Sequence, residues 1–277
     1  MARAGNLLPV ILALAIGGLC AAEAAAGDVA PKASPPFSWT GFYAGIHAGY
    51  GSGDGNAAAV NPAALLPLFP GVNNLTSTAS APFTLGVEQS GWLGGLQAGY
   101  NWQSGRTLVG IEADVSIAGI GGQAARSYAL RPVFLVGDFD DYTGRVKLTE
   151  EIDYFGTLRG RLGLANHSWL LYATGGLAWA HIKSSLESSH VRLTSNFPIP
   201  GFPAALDGQA TASRLALGYA VGAGAEWTFA PQWSVKGEYL YLNFGHSVSL
   251  AIPSATLNGG TTDLHTFRVG LNRQLAP

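Results

Sequence analysis

The chain has one cysteine, Cys20, and one methionine, and only 12% of its 277 residues are charged. A lone thiol excludes an internal disulfide framework and a cysteine-ligated metal centre. So few charges beside 48% apolar residues do not suit the surface of an ordinary water-soluble domain of this length. A net charge of −2, with no basic stripe, argues against nucleic acid as a partner. Beyond the N-terminal leader, Gly, Ser and charged residues interrupt every apolar run before the ~20 residues that a membrane-spanning helix needs. An apolar chain without such helices can cross a bilayer only as a sheet closed on itself, because every backbone polar group there must find a partner.

The leader consists of Arg3, the apolar run Leu7 to Leu19 and Ala24-Ala25-Ala26, a positive region, a short apolar region and an A-x-A cleavage site. Residues 1–26 are therefore expected to be a signal peptide cleaved near Ala26, which would remove Cys20. Lipid anchoring through Cys20 is the rival reading, but Leu19 precedes it where a small residue is usual. Residues 27–38, with Pro31, Lys32, Pro35 and Pro36, read as a Pro-rich periplasmic lead-in, and 39–277 as the barrel domain.

The chain is rich in glycine, with 38 residues, and in period-two alternation. Trp92, Leu96, Ala98, Tyr100 and Trp102 share one parity, while Gln97, Gly99 and Asn101 share the other, as on a strand with lipid on one face and lumen on the other. Such stretches fall at 41–50, 91–103, 107–119, 151–163, 169–183, 213–229, 232–244 and 261–273. Turn-forming Ser104-Gly105, Asn166-His167 and Ala230-Pro231 join three consecutive pairs. The connections 51–90, 120–150, 184–211 and 245–260 are long. Short periplasmic turns and long exterior loops are the bacterial pattern. The expected fold is all-β, an eight-stranded antiparallel transmembrane up-and-down β-barrel with four long extracellular loops and three short periplasmic turns, in the cell outer membrane.

The outward parity of three strands (Phe42 to Tyr50, Val109 to Ile117 and Leu217 to Trp227) carries no charge. A Lys or Arg at the bilayer midplane would cost ~2–4 kcal/mol. Tyr50, Trp92, Trp179 and Tyr241 fall toward the loops, and Trp102, Trp169, Trp227 and Trp233 beside the turns, as two interfacial girdles. A soluble lipocalin-like barrel would reverse this arrangement, with its apolar face inside. The inward parity holds Glu112, Asp114, Asp153, Arg159, Arg161, Glu226, Lys236, Glu238 and Arg268. Counting from the turns sets Glu226 opposite Lys236, Arg268 level with Glu238 and Glu112 beside Arg159. Such groups could serve acid-base chemistry or an ion filter. A lumen this narrow must instead be filled by side chains, and its charges need partners, so a salt-bridged plug with little conductance is expected.

Trp39-Thr40-Gly41-Phe42-Tyr43-Ala44-Gly45, Gly91-Trp92-Leu93-Gly94-Gly95-Leu96-Gln97-Ala98-Gly99-Tyr100-Asn101, Leu170-Leu171-Tyr172-Ala173-Thr174-Gly175-Gly176 and Val235-Lys236-Gly237-Glu238-Tyr239-Leu240-Tyr241 together resemble the small alphaproteobacterial outer-membrane proteins of the porin-like, OmpA-type barrel family. The resemblance implies an eight-stranded monomeric barrel, abundant at the cell surface and inserted by the barrel-assembly machinery. Family members include structural surface proteins, antigens, porins and some haem binders, and no catalytic residues come with the family. Such proteins usually end in an aromatic residue on the last strand, where Leu275 stands here, followed by Ala276-Pro277. Leu275→Phe with removal of the last two residues is expected to raise folded yield.

The leading expectation is a structural surface barrel, not an enzyme, in contact with outer-membrane lipid and lipopolysaccharide, with loops 51–90 and 184–211 available to surface ligands. The apolar stretch Leu65 to Phe69 and the segment Phe197 to Pro203 would either meet such ligands or pack over the barrel mouth. The alternatives are a small porin and a haem or small-ligand binder using His181, His190, His246 or His265, whose spacing has no metal-motif regularity. No cofactor or metal is assigned. His246-Ser247 and His167-Ser168 are the nearest approach to a catalytic pair, and neither has an assigned acidic partner. Gly222-Ala223-Gly224 lacks the third glycine and following helix of a dinucleotide fingerprint.

Overall fold

The computed structural model describes residues 38–69, 71–73, 75–135, 137–195, 206–245 and 249–275, so the expected signal peptide, nearly all of the lead-in, Phe197 to Pro203 and His246 lie outside the described residues. It contains eleven strands: β1 (Gly41–Val60), β2 (Thr78–Ala79), β3 (Phe83–Ser104), β4 (Thr107–Arg131), β5 (Asp140–Ala165), β6 (Trp169–Ser195), β7 (Gly208–Ala230), β8 (Trp233–Phe244), β9 (Leu250–Ile252), β10 (Ala255–Leu257) and β11 (Thr262–Leu275). The long strands pair antiparallel in the order β11-β8-β7-β6-β5-β4-β3-β1, and β1 pairs back onto β11 from Phe42–Leu275 to Ser52–His265, which closes the ring.

The three expected turns are present. Gly105 takes the β3–β4 turn at φ 60°. The β7–β8 turn carries Gln232 at φ 65°, a left-handed conformation uncommon for a residue with a side chain. The alternation that predicted the strands is observed: Phe42, Ile46, Val109, Ile111, Val115, Leu217 and Val221 are exposed, while their neighbours of opposite parity face inward.

The strands run much further than expected. The stretch read as 151–163 extends over the 26 residues of β5, and β6 has 27, against the 9–11 needed to span a bilayer. Most of the segment 120–150 is therefore strand. The extra length alternates buried Tyr142, Val146 and Leu148 with outward polar residues such as Arg145 and Lys147, a pattern suited to a wall in water. By contrast β8 and β11 stop early, at 12 and 14 residues. The β9–β10 hairpin stands above them, with β10 paired to the top of β1 from Ala58 to Val60.

Inside this upper wall sits an apolar cap, the second of the two alternatives the sequence offered for Leu65 to Phe69. Leu65, Leu66 and Phe69, on and just after a 3-10 helix over Pro62–Leu68, are buried with Val60, Leu85, Tyr128, Tyr142, Leu148, Leu186 and Leu257. The stretch Leu65 to Phe69 thus packs over the mouth, and only Leu68 of its large side chains is exposed.

Candidate functional site

The inward side chains of β5 show how the lumen is layered. From the periplasmic turn upward they run Ala165, Arg161, Arg159, Thr157, Phe155, Ile152, Glu150, Leu148, Val146 and Tyr142. The floor is apolar, formed by Trp39, Leu108, Ala165, Leu170 and Tyr172. Trp39 is held there by its indole Nε1, which donates to the carbonyl of Asn166 at 3.0 Å. Above the floor lies a layer of charges. Above that comes a second apolar layer of Leu93, Ile120, Ile152, Phe155, Ile182, Leu240, Leu242, Phe244 and Leu264.

The charged layer is continuous. Arg159 donates to Glu112 at 2.7 Å, to Asp114 at 3.0 Å and to Glu238 at 3.0 Å, so one guanidinium binds acids from two other strands. Arg161 donates to Glu226 at 3.0 Å and stacks on the Tyr172 ring at 3.9 Å. Lys236 lies 3.0 Å from Glu112, and Arg268 is 3.0 Å from Asp114. All eight groups are buried. In such a place an unpaired charge would be expensive, and the pairs are tolerated because most of their oxygens and protons also find partners, Arg161 Nε and Arg268 Nε and Nη2 being the exceptions.

The register expectations hold: Glu226 faces Lys236, Arg268 faces Glu238 and Glu112 faces Arg159 across neighbouring strands. Only the last of these is also a close ion pair. Asp153 is the correction. A register shift between Ile152 and Tyr154 inserts an extra residue in β5 relative to β6, so inward parity passes from odd to even numbers there. Ile152 and Phe155 face inward, and Asp153 emerges on the outer wall with Lys183 at 2.8 Å and His181 at 2.9 Å. A bulge of this kind re-aims a side chain at no cost to the rest of the ladder. Without Asp153 the layer holds four acids (Glu112, Asp114, Glu226, Glu238) and four bases (Arg159, Arg161, Lys236, Arg268), an even balance.

Several members went unread in the sequence. The Tyr43 hydroxyl donates to Glu112 at 2.7 Å and accepts from Arg161 at 2.6 Å, and Tyr172 donates to Glu238 at 2.9 Å. Thr157 donates to Asp114. His47, an inward side chain of β1, contacts Ser116 at 2.8 Å and Gln97 at 3.1 Å, and Gln97 in turn reaches Asn272 at 2.5 Å. Tyr43 and Tyr172 each lie between two outward residues, Phe42 and Ala44 or Leu171 and Ala173. Their parity was the available signal.

The girdle residues lie on the outer wall as expected. Trp92 packs edge-on against Tyr50 at 5.3 Å, and Trp169 stacks on Trp227 at 6.2 Å. Trp102 and Trp233 are exposed, while Tyr241 is half-buried beside His265 and half-buried Trp179 lies across Gly156. The described histidines of the haem reading have separate partners: His181 with Asp153, His190 with Asp207 and Tyr128, and His265 with Tyr239. Among the described residues no group of three or more His, Cys, Asp or Glu is placed to hold a metal ion.

Residues 11–274 match the outer membrane protein beta-barrel domain family. The chain is 33% identical to the 31 kDa outer-membrane immunogenic protein of Brucella melitensis over 95% of its own length and 98% of that protein. It is 26% identical to the 22 kDa outer membrane protein of Rhizobium leguminosarum bv. viciae, over 76% of this chain and 66% of that one. Among solved structures, the outer membrane protein OprG from Pseudomonas aeruginosa is similar at 12% identity and a TM-score of 0.37, covering 86% of this chain and 97% of that chain. A closed antiparallel ring with an apolar outer band, matched along almost its whole length, makes this chain a member of the outer membrane protein beta-barrel domain family and a surface protein of the cell outer membrane.

Proposed function

We propose that the protein is a structural surface barrel with a closed lumen, whose contacts with other molecules are made by the wall and loops above the membrane. The observation that carries this reading is the stack of a balanced four-acid, four-base layer between apolar layers, with an apolar cap above. An ion entering from either side would meet an apolar layer offering it no polar ligand, and then side chains that already neutralise one another. The immunogenic relatives are named for what an immune system meets, which fits display of the long upper wall here. Lipopolysaccharide and outer-membrane lipid are the proposed surroundings of the outer band, the barrel-assembly machinery the proposed route of insertion, and a monomer the proposed state. No chemistry is proposed: the layer's carboxylates are held by bases rather than turned toward a substrate.

The test is single-channel recording of the folded barrel in a planar bilayer, after a heat-modifiable gel shift has established that it is closed. Silence is the expected result. Large steady openings would overturn the reading and make the charged layer the lining of a small porin.

A further inference from the structure

Asn258 is followed by Gly259 and Gly260, whereas every other asparagine of the chain is followed by a residue with a side chain. Residues 258–260 are exposed and lie outside any strand, in the connection between β10 and β11. No side chain at 259 screens the Asn258 amide from the next main-chain nitrogen, and glycine leaves the backbone there free to rotate. Two hydrogen bonds hold the connection. The Gly259 N–H donates to Ser249 Oγ at 3.2 Å, and the Gly260 N–H donates to Asn56 Oδ1 at 3.1 Å. Asn56 is itself buried and fixed from its other side, where its backbone N–H donates to Glu150 Oε2 at 2.8 Å and its Nδ2 to Oε1 at 2.5 Å. The connection is thus anchored to the interior at Gly260, while the nitrogen next to Asn258 is held by the hydroxyl of an exposed serine. Asn56, Asn101 and Asn272, by contrast, are buried and carry a side chain at the following position.

We propose that Asn258 is a site of spontaneous modification on the surface of this protein, converted to aspartate and isoaspartate with water as the co-reactant. Asparagine is among the chemically labile side chains. The Gly259 nitrogen attacks Asn258 Cγ; the new N–Cγ bond forms as the Cγ–Nδ2 bond breaks, and Nδ2 leaves as ammonia with the proton that the Gly259 nitrogen gives up. The product is a cyclic imide. Water then adds to one of its two carbonyls. Cleavage of the N–Cγ bond leaves aspartate, and cleavage of the bond from that nitrogen to the main-chain carbonyl carbon of residue 258 leaves isoaspartate, with the chain routed through Cγ. Either product adds one carboxylate to an exposed connection. Isoaspartate also lengthens the main chain by one carbon just before Gly259, which shifts the Gly260 N–H relative to Asn56. Ser249 sets the rate, because its hydroxyl accepts from the nitrogen that must attack and this hydrogen bond has to break first. This goes beyond the closed-lumen reading and does not depend on it.

The experiment is incubation of the full folded barrel in detergent at mildly alkaline pH, followed by mass-spectrometric peptide mapping and enzymatic labelling of isoaspartate. The expected result is a gain of one mass unit on the peptide that holds Asn258, with isoaspartate at that position, faster as the pH rises because the Gly259 nitrogen attacks as its anion. Gly259→Ala should slow the conversion severalfold. Asn258→Gln should abolish it over the same period, since the longer side chain would have to close a larger ring. Ser249→Ala should accelerate it, an effect that the Asn-Gly pair alone does not produce. Asn258 left intact when a free peptide of the same sequence has turned over, modification of another asparagine ahead of it, or a Ser249→Ala rate equal to that of the parent would each overturn the proposal.

Discussion

Lys236 faces Glu226 directly in the register of the β7–β8 hairpin, yet its Nζ is bound to Glu112 of β4, 3.0 Å from Oε1 and 3.1 Å from Oε2. Glu226 turns the other way, to Arg161 of β5 at 3.0 Å and to Asn272 of β11 at 2.8 Å. The pairs Lys236–Glu112 and Arg161–Glu226 therefore cross the lumen instead of following the ladder, and they tie together strands that share no backbone hydrogen bond.

Lys236→Met should cost about 3–5 kcal/mol, because it leaves the Glu112 charge buried beside fewer bases. Adding Glu112→Gln should recover part of the loss. Denaturant titration of the folded barrel, read by the gel shift, measures both. A loss in the double variant equal to the sum of the losses of Lys236→Met and Glu112→Gln alone would mean that the two residues are not coupled.

Asp114 and Asp153 provide a matched contrast. Asp114 is buried and holds Arg268 and Arg159, whereas Asp153 lies on the outer wall with Lys183 and His181. Asp114→Asn should lower stability by about 3 kcal/mol. Asp153→Asn should leave the unfolding midpoint near that of the parent, since exposed pairs contribute little. The opposite order would contradict the parity switch at the bulge.

Gly224 lies under Tyr172: a Cβ there would collide with the phenol oxygen that donates to Glu238. The Gly237 carbonyl, 2.9 Å away on the other side, blocks relief by a backbone shift. Gly224→Ala should cost about 1–3 kcal/mol through overpacking. Tyr172→Phe should not rescue it, because the ring carbon Cζ, which phenylalanine keeps, would lie 2.5 Å from the added Cβ.

His190 gives the cap a pH dependence. It lies between the Tyr128 hydroxyl at 2.6 Å and Asp207 at 3.0 Å, and burial holds its imidazole below the ordinary value despite the opposing pull of Asp207. The unfolded chain therefore takes up this proton first, near pH ~6.5, while the folded protein resists it. The His190 contribution is full above that pH and is lost as the pH falls toward the folded-state value. Proteolysis of the upper wall should accelerate on acidification below pH ~6.5. His190→Gln should flatten that part of the profile, and an unchanged profile would remove His190 as its source.

How far the sequence could be read follows from distance along the chain. Alternation in Gly91 to Trp102 reveals two faces because neighbouring residues suffice to show it, and counting from the Ser104-Gly105 turn set Glu112 beside Arg159 because hairpin register is local. Asp153 was misplaced because one inserted residue reverses parity, and nothing in the residues around it announces the insertion. The strand ends were missed because above the lipid the outer face becomes polar, and glycine-rich alternation there reads as loop. The sequence left open whether Leu65 to Phe69 meets ligands or packs over the mouth, because Leu65, Tyr142 and Leu257 meet only when the ring is closed.

The sequence by itself determined the class of the molecule: too apolar for water, too interrupted for spanning helices, and alternating with a period that only a closed sheet satisfies in a bilayer. It also determined which acids and bases share the charged layer, apart from Asp153 at the bulge, but not the buried acids Glu150 and Asp140 higher up. The tertiary structure alone decided who pairs with whom, because eight strands curved into a ring bring β4 within reach of β8, and Asn56 to Glu150, across a lumen that no sequence spacing encodes. The same closure stacks charge and apolar layers at fixed heights, where a buried charge must find its partner across the lumen.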